Sequence, residues 1–249
     1  EIGILRTVEV IKQAGPDIVA LQETYGSGAI IADMLGYSFY LRSSNLSIMS
    51  RYPIASTGPA IHPFYHGSAY IDIPHHGPLL FSNVWLNYPF DYWEDLYHDK
   101  KPDSARWVHA MRQKNADTMK AVLQRILPEQ NKTGTLPMII AGDFNSGSHL
   151  DWTERNRPFN KGYAIPFPTT VLLMENDFLD SYRMVHPNET TERGLTWSPY
   201  IKTNHQDRID NIYYKSDKLQ PIGSNTTLET SACYPSDHRG VITQFKWKQ

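Results

Sequence analysis

The sequence predicts an α/β fold in which two β-sheets pack face to face with helices on their outer sides. Short runs that are apolar throughout, Ile18-Val19-Ala20-Leu21 and Met138-Ile139-Ile140-Ala141, have the length and punctuation of buried strands. Strands outnumber helices, and several lack the polar alternation of a half-exposed strand, which is the pattern of sheets covered on both faces. No repeat, low-complexity tract or linker divides the 249 residues, so one domain over 1–249 is expected.

Taken in order, Ile4, Leu5, Val8 and Ile11 recur at helical spacing, and Gly15-Pro16 stops that helix. The strand after it delivers Gln22 and Glu23 at its C-terminal end. Further strands are read at 47–50 and 81–86, with a His-, Pro- and Gly-rich hairpin and loops between them. The longest helix is predicted over 104–127, where Val108, Met111, Met119, Val122 and Ile126 line one face and Pro128 closes it. Pro137 introduces the central strand, a polar, aromatic loop then runs to about Pro168, and a short helix continues through Leu173. Strands resume at 195–197, 208–214 and 240–245.

The chemistry collects at strand ends. After the central strand come Gly142-Asp143-Phe144-Asn145, and side chains two apart on a strand point the same way. A carboxylate beside a carboxamide can hold a hard cation, a water or a phosphate oxygen, although Gly, Asp and Asn also form ordinary polar turns. Glu23, Asp210 and the pair Asp237-His238 occupy the same kind of position. Each has a plain structural alternative: a solvated terminus for Glu23, pairing with Arg208 for Asp210, a turn cap for Asp237 and a satisfied edge histidine for His238. Jointly, carboxylates with one histidine are what metal-assisted phosphoryl chemistry requires.

Leu21-Gln22-Glu23-Thr24, Gly142-Asp143-Phe144-Asn145, Arg208-Ile209-Asp210 and Ser236-Asp237-His238 resemble, in order, the motifs of the endonuclease/exonuclease/phosphatase superfamily. Ser148-His149-Leu150-Asp151-Trp152 and Asp180-Ser181-Tyr182-Arg183 resemble a bacterial-type branch of it. The resemblance implies a DNase I-like four-layer α/β sandwich of two packed mixed sheets flanked by helices. It implies Mg²⁺ or Mn²⁺ held by Glu23 and Asp237, and His238 at the scissile phosphate or as general acid or base, oriented by Asp210. Asp143 would position or deprotonate the attacking water, and Asn145 would hold a phosphate oxygen. Arg239 is a further candidate for substrate phosphate.

The chain departs from that pattern twice. It opens with a helix where superfamily members usually open with a strand ending in asparagine, so that first strand is expected to be lacking. Trp85 falls where many members carry a phosphate-contacting histidine; an indole can wall a substrate and donate one hydrogen bond but carries no charge. If Trp85 is core instead, Asn87 becomes the phosphate contact. His149 and Trp152 are read as one wall of the cleft.

Composition narrows the substrate. A net charge of −2, with Lys100-Lys101 the nearest thing to a basic run, argues against tight non-specific binding to long nucleic acid. It does not exclude a nuclease, because a bound metal neutralises phosphate locally. Near-neutral charge and the Tyr- and Trp-rich loop over 85–107 favour a small molecule or lipid head group, with DNA or RNA as the alternative. A binding module that kept the fold without catalysis is a third reading, opposed by the completeness of the set. One cysteine, Cys233, excludes an intrachain disulfide. No stretch has the length of a membrane span and no signal peptide opens the chain, leaving secreted, periplasmic and cytoplasmic locations open; a monomer is expected. Histidines 62, 66, 75 and 76 do not form a zinc helix, because Pro63 and Pro74 break it.

Overall fold

The computed structural model describes residues 2–98, 103–133, 135–200, 206–227 and 234–248; Lys100-Lys101 and Cys233 lie outside them. The first half contains α1 (Ile2–Ala14), β1 (Ile18–Gln22), α2 (Gly28–Leu35), β2 (Ser38–Leu41), β3 (Leu46–Ser50), β4 (Ile54–Thr57), β5 (His66–Ile73), β6 (Gly77–Trp85), α3 (Tyr92–Tyr97) and α4 (Ser104–Met111). A π-helical turn (Arg112–Ala116) leads into α5 (Asp117–Thr133). Then come β7 (Met138–Asp143), α6 (Pro168–Glu175), β8 (Leu179–Asp180), α7 (Ser181–Val185), β9 (Asp210–Lys215), β10 (Leu219–Thr226) and β11 (Val241–Trp247).

These elements form the predicted mixed α/β arrangement of packed sheets with helices outside. One sheet has six strands in the order β4-β5-β6-β7-β9-β8, with β6 and β7 parallel and the other pairs antiparallel. Facing it are two antiparallel ladders, β1-β3-β2 and β10-β11. Strand alternation divides the six-stranded sheet between two cores. Leu80, Val84, Met138, Ile140 and Tyr213 face α5 and α6, meeting Met119, Val122, Ile126 and Leu173. Phe81, Ile139, Ala141 and Tyr214 face the opposing ladders, meeting Ile48, Ala20 and Phe245. Val8, Ile11 and Ile31 then cover the outer side of the β1-β3 ladder with α1 and α2. Among the described residues β1 and β11 are each paired on one side only, and both line a cavity of about 1400 Å³ whose lining includes Glu23, Asp143, Asp210 and His238.

Two local predictions are corrected. The helix over 104–127 is not one α-helix: a π turn interrupts it, and Pro128 lies inside α5 rather than ending it. The turn beyond Pro128 is anchored by Glu129, which accepts hydrogen bonds from Tyr70 (2.6 Å) and Lys132 (2.8 Å). Residues 195–197 form no strand; Trp197 makes isolated bridges to Asp207 and His238, so this segment clasps two separate stretches of chain instead of joining one ladder.

Candidate active site

The site begins at the C-terminal end of β7. Gly142 has φ 146°, and a Cβ there would lie 2.0 Å from the Val84 carbonyl oxygen, so only glycine lets β7 run this close to β6. Register then aligns Trp85, Asp143 and Asp210 in one row across β6, β7 and β9. Directly paired residues project to the same side of a sheet, so all three share the face turned toward the opposing ladders. Asp143 is buried at 4% exposure. Beyond it the chain turns sharply: Asn145 adopts φ 47°, a left-handed conformation that asparagine tolerates, and its backbone N–H donates to Asp143 Oδ1 (2.7 Å). The Asn145 carboxamide donates to the Leu86 carbonyl (2.9 Å).

His238 arrives from the stretch before β11. The Thr196 carbonyl accepts from the Arg239 N–H (2.8 Å), while the Thr196 hydroxyl accepts from the N–H groups of Ile209 and Asp210 (both 3.1 Å). Thr196 thereby ties the segments carrying Asp210 and His238 together, and His238 Nδ1 meets Asp210 Oδ2 at 2.8 Å. From the other side, buried Asn83 donates to the carbonyls of Leu21 (2.9 Å) and Ser47 (2.8 Å) and accepts from Gln22 (2.6 Å). That clamp fixes the end of β1, from which Glu23 (φ 55°) projects, exposed and accepting from the Tyr25 hydroxyl (2.8 Å). Left-handed backbone at Glu23, Tyr25 and Asn145 is local strain gathered around one cleft.

The electrostatics are lopsided. Burial and the nearby Asp210 charge push the Asp143 carboxyl well above the usual carboxylate range, His238 works against this, and Glu23 adds to it. Burial alone would lower His238, but Asp210, by charge and hydrogen bond, and then Asp143 and Asp237, hold its imidazole up to about 10. Negative charge thus exceeds positive charge in the cleft, which is the condition a divalent cation relieves. Asp143, Asp210 and His238 offer ligand atoms all within 4.8 Å of one another, and Glu23 and Asp237 line the same cavity. An oxygen-rich set of this kind suits a hard cation.

The remaining candidates are placed as follows. Trp85 is half-buried, lies outside the core clusters and stacks on Phe64 (centroids 4.7 Å apart, planes at 22°), so the core alternative for it falls away. Asn87 turns its carboxamide to the Thr118 hydroxyl (2.8 Å). Arg239 donates to the Leu195 carbonyl (3.1 Å). Asp210 is not paired with Arg208, whose guanidinium engages Asp151 (2.8 Å) and Asp180 (2.7 Å) instead. Trp152 is corrected from cleft wall to core: it is 1% exposed and donates to Asp207 (2.9 Å). His149 holds the Thr170 hydroxyl (2.7 Å). His66 is fully buried, and burial lowers it to about 3.

Asn83, Thr196 and Asn115 escaped the sequence reading. Asn115, on the π turn, donates to the carbonyls of Asn87 (2.8 Å) and Phe144 (2.7 Å) and accepts from Thr169, so it buttresses the turn that carries Asn145. No local motif marks these residues; the nearest signal is a polar side chain inside an otherwise apolar pattern.

The sequence profile of the Endonuclease/Exonuclease/phosphatase family matches residues 2–238. The chain belongs to this family. Its members are phosphoesterase and nuclease hydrolases that generally depend on a divalent metal. Uncharacterized protein F14F9.5 of Caenorhabditis elegans is 26% identical over 287 residues, an alignment spanning 98% of this chain and 86% of that one. Among solved structures, D. rerio TDP2 complexed with a single-strand DNA product superposes with a TM-score of 0.62 at 18% identity, covering 98% of this chain and 91% of that one. An AP endonuclease from Archaeoglobus fulgidus gives 0.63 at 17% identity, covering 97% and 93%. Both likenesses establish the DNase I-like fold. Among the described residues no helix is long and apolar enough to cross a membrane.

Proposed function

We propose that this chain is a Mg²⁺- or Mn²⁺-dependent phosphodiesterase that hydrolyses a small phosphate ester. The observation that carries this reading is the His238–Asp210 pair set beside buried Asp143 in the lining of one cavity. Asp210 fixes the ring orientation of His238 and supports its charged form, so the imidazolium can steady a phosphoryl oxygen or give a proton to the leaving group. Asp143, with its raised proton affinity, is suited to hold and accept a proton from the attacking water. The Asn145 side chain, hydrogen-bonded to Leu86, is a fixed dipole beside Asp143 that would bind a phosphate oxygen. Glu23 and Asp237 would hold the cation, with Asp143 and Asp210 near it; when bound, it supplies charge neutralisation and polarises the P–O bond.

The cavity lining favours a small substrate. Among the described residues that line the cavity, Asp17, Glu23, Asp143, Asp210 and Asp237 supply the acids, and Arg239 and His238 the bases, which is a poor surface for a long polyanion. A nuclease is the second reading, favoured by the shared fold with D. rerio TDP2 solved with a DNA product. Hydrolysis of bis-p-nitrophenyl phosphate with Mg²⁺ or Mn²⁺ tests the chemistry. His238→Ala should lower the rate by about 10²-fold or more; equal rates for parent and variant would remove His238 from the mechanism.

A further inference from the structure

We infer that Trp85 and Phe64 form a stacking subsite for a nucleobase carried next to the scissile phosphate. This inference rests on the phosphodiesterase reading and names the class of its substrate.

Position comes first. Trp85 is the direct register partner of Asp143, and Asp143 of Asp210, so one row runs from an indole through two carboxylates to His238. Directly paired side chains start about 5 Å apart on the same face. The indole therefore borders the reacting centre on the side opposite His238. It cannot serve a phosphate as a charge; what it offers is a π-face and one N–H.

The second observation is that this aromatic surface is held ready. Phe64 stacks on Trp85 and remains 40% exposed. The turn carrying Phe64 is fixed by its own backbone N–H on His62 Nδ1 (3.2 Å), by the Tyr65 N–H on the His62 carbonyl (3.0 Å) and by the edge of Tyr65 against Phe64 (5.0 Å). The Tyr65 carbonyl accepts from the Trp85 N–H (3.0 Å), locking turn and strand together. A rigid pair of rings beside a phosphate site binds a flat ring with little loss of side-chain freedom. A stacked ring is held by π-surface and apolar contact and not by charge, so the subsite is compatible with the acid-rich lining of the neighbouring cavity.

The test compares thymidylyl-thymidine with its two analogues, in each of which one of the two bases is replaced by hydrogen, in the presence of Mg²⁺ or Mn²⁺. For one of the two positions, losing the base should raise KM by about 10-fold with kcat little changed, the order expected for one stacked base. Trp85→Ala should abolish that discrimination, whereas Trp85→Phe should keep most of it; circular dichroism checks that both variants fold. Equal KM values for all compounds in the parent, or discrimination that survives Trp85→Ala, would overturn the subsite. Turnover of bis-p-nitrophenyl phosphate with none of the dinucleotides would also overturn it while leaving the phosphodiesterase reading intact. Failure on every diester would sink both.

Discussion

Two clusters of buried carboxylates lie close together in this molecule, and they are balanced in opposite ways. In the cleft, Asp143 and Asp210 face a single histidine, with Glu23 and Asp237 adding negative charge at the rim. Next to it, Asp151 and Asp180 are matched by two guanidiniums. Arg183 donates to Asp151 (2.6 Å), while Arg208, 1% exposed, donates to Asp151 (2.9 Å), Asp180 (2.7 Å) and Asn211 (2.5 Å). Asp207 completes this second cluster through the Tyr92 hydroxyl (2.9 Å), the Trp152 indole (2.9 Å) and the Arg208 N–H (2.8 Å). Burial still lifts Asp207 to about 6, but the ion pairs around it are closed. Closed pairs build a scaffold, and an unbalanced set builds a place where a cation and a proton can be exchanged.

Arg208→Met would break the comparison most severely. It leaves Asp151 and Asp180 short of a partner inside the fold, so stability should drop by about 3–5 kcal/mol, read as a lower denaturant midpoint. Asp210→Asn should act on the other side of the divide. Folding should change little, kcat should fall by about 10²- to 10³-fold, and His238 should titrate well below its parent value of about 10 in NMR of the metal-free protein. An unmoved His238 titration would mean that Asp210 does not govern it.

Metal binding gives a smaller effect with a definite sign. Asp143 and His238 hold protons more tightly than isolated groups do, and a cation among them displaces protons. Affinity for Mg²⁺ or Mn²⁺ should therefore rise with pH up to about 10, where His238 gives up its proton, and calorimetry in buffers of different ionisation enthalpy should register proton release. A pH-independent affinity would place the ion away from this cluster.

The smallest change belongs to the margin of the balanced cluster. A hydrogen bond from Arg155, with another from Thr153, holds Glu189 down to about 2. A depressed carboxylate stabilises the fold above its unfolded value and loses that contribution as pH falls through the folded one. Glu189→Gln should therefore cost about 1 kcal/mol at neutral pH, since exposed Arg155 is screened by solvent. The difference from the parent should close between about pH 4.5 and 2.

Which parts were legible follows the same divide. Glu23, Asp143, Asn145, Asp210 and His238 stand in short motifs at strand ends, where chain direction alone brings them to one edge of the molecule. Arg208 sits inside one of those motifs, yet its partners Asp151 and Asp180 lie 57 and 28 residues away in sequence, and local spacing pointed to Asp210 instead. Asn83 and Thr196 were hidden for a related reason. Each acts through backbone groups of distant segments, and a backbone carbonyl leaves no mark on residue identity. β1 and β7 were readable from apolar runs, strands were also expected where β3, β6, β9 and β11 lie, and a hairpin was expected over the stretch that holds β4 and β5. β2 and β10 were not readable, because half-exposed strands of four to eight residues carry a weak pattern.

The π turn at residues 112–116 has a consequence in the language of insertions and deletions. Such a turn carries one residue more than an α-helix of the same span requires. Removing one residue of that stretch would let α4 and α5 fuse into a regular helix whose flanking faces keep close to their present register, while the bulge that aims Asn115 is lost. The carboxamide of Asn115 would then leave the Phe144 carbonyl, while the apolar face of α5 stayed in the core. Helix length, and not only helix composition, is thus a determinant of the turn that presents Asn145. A scan of point substitutions would pass over it; a scan of single-residue deletions would find it as lost turnover in a folded protein.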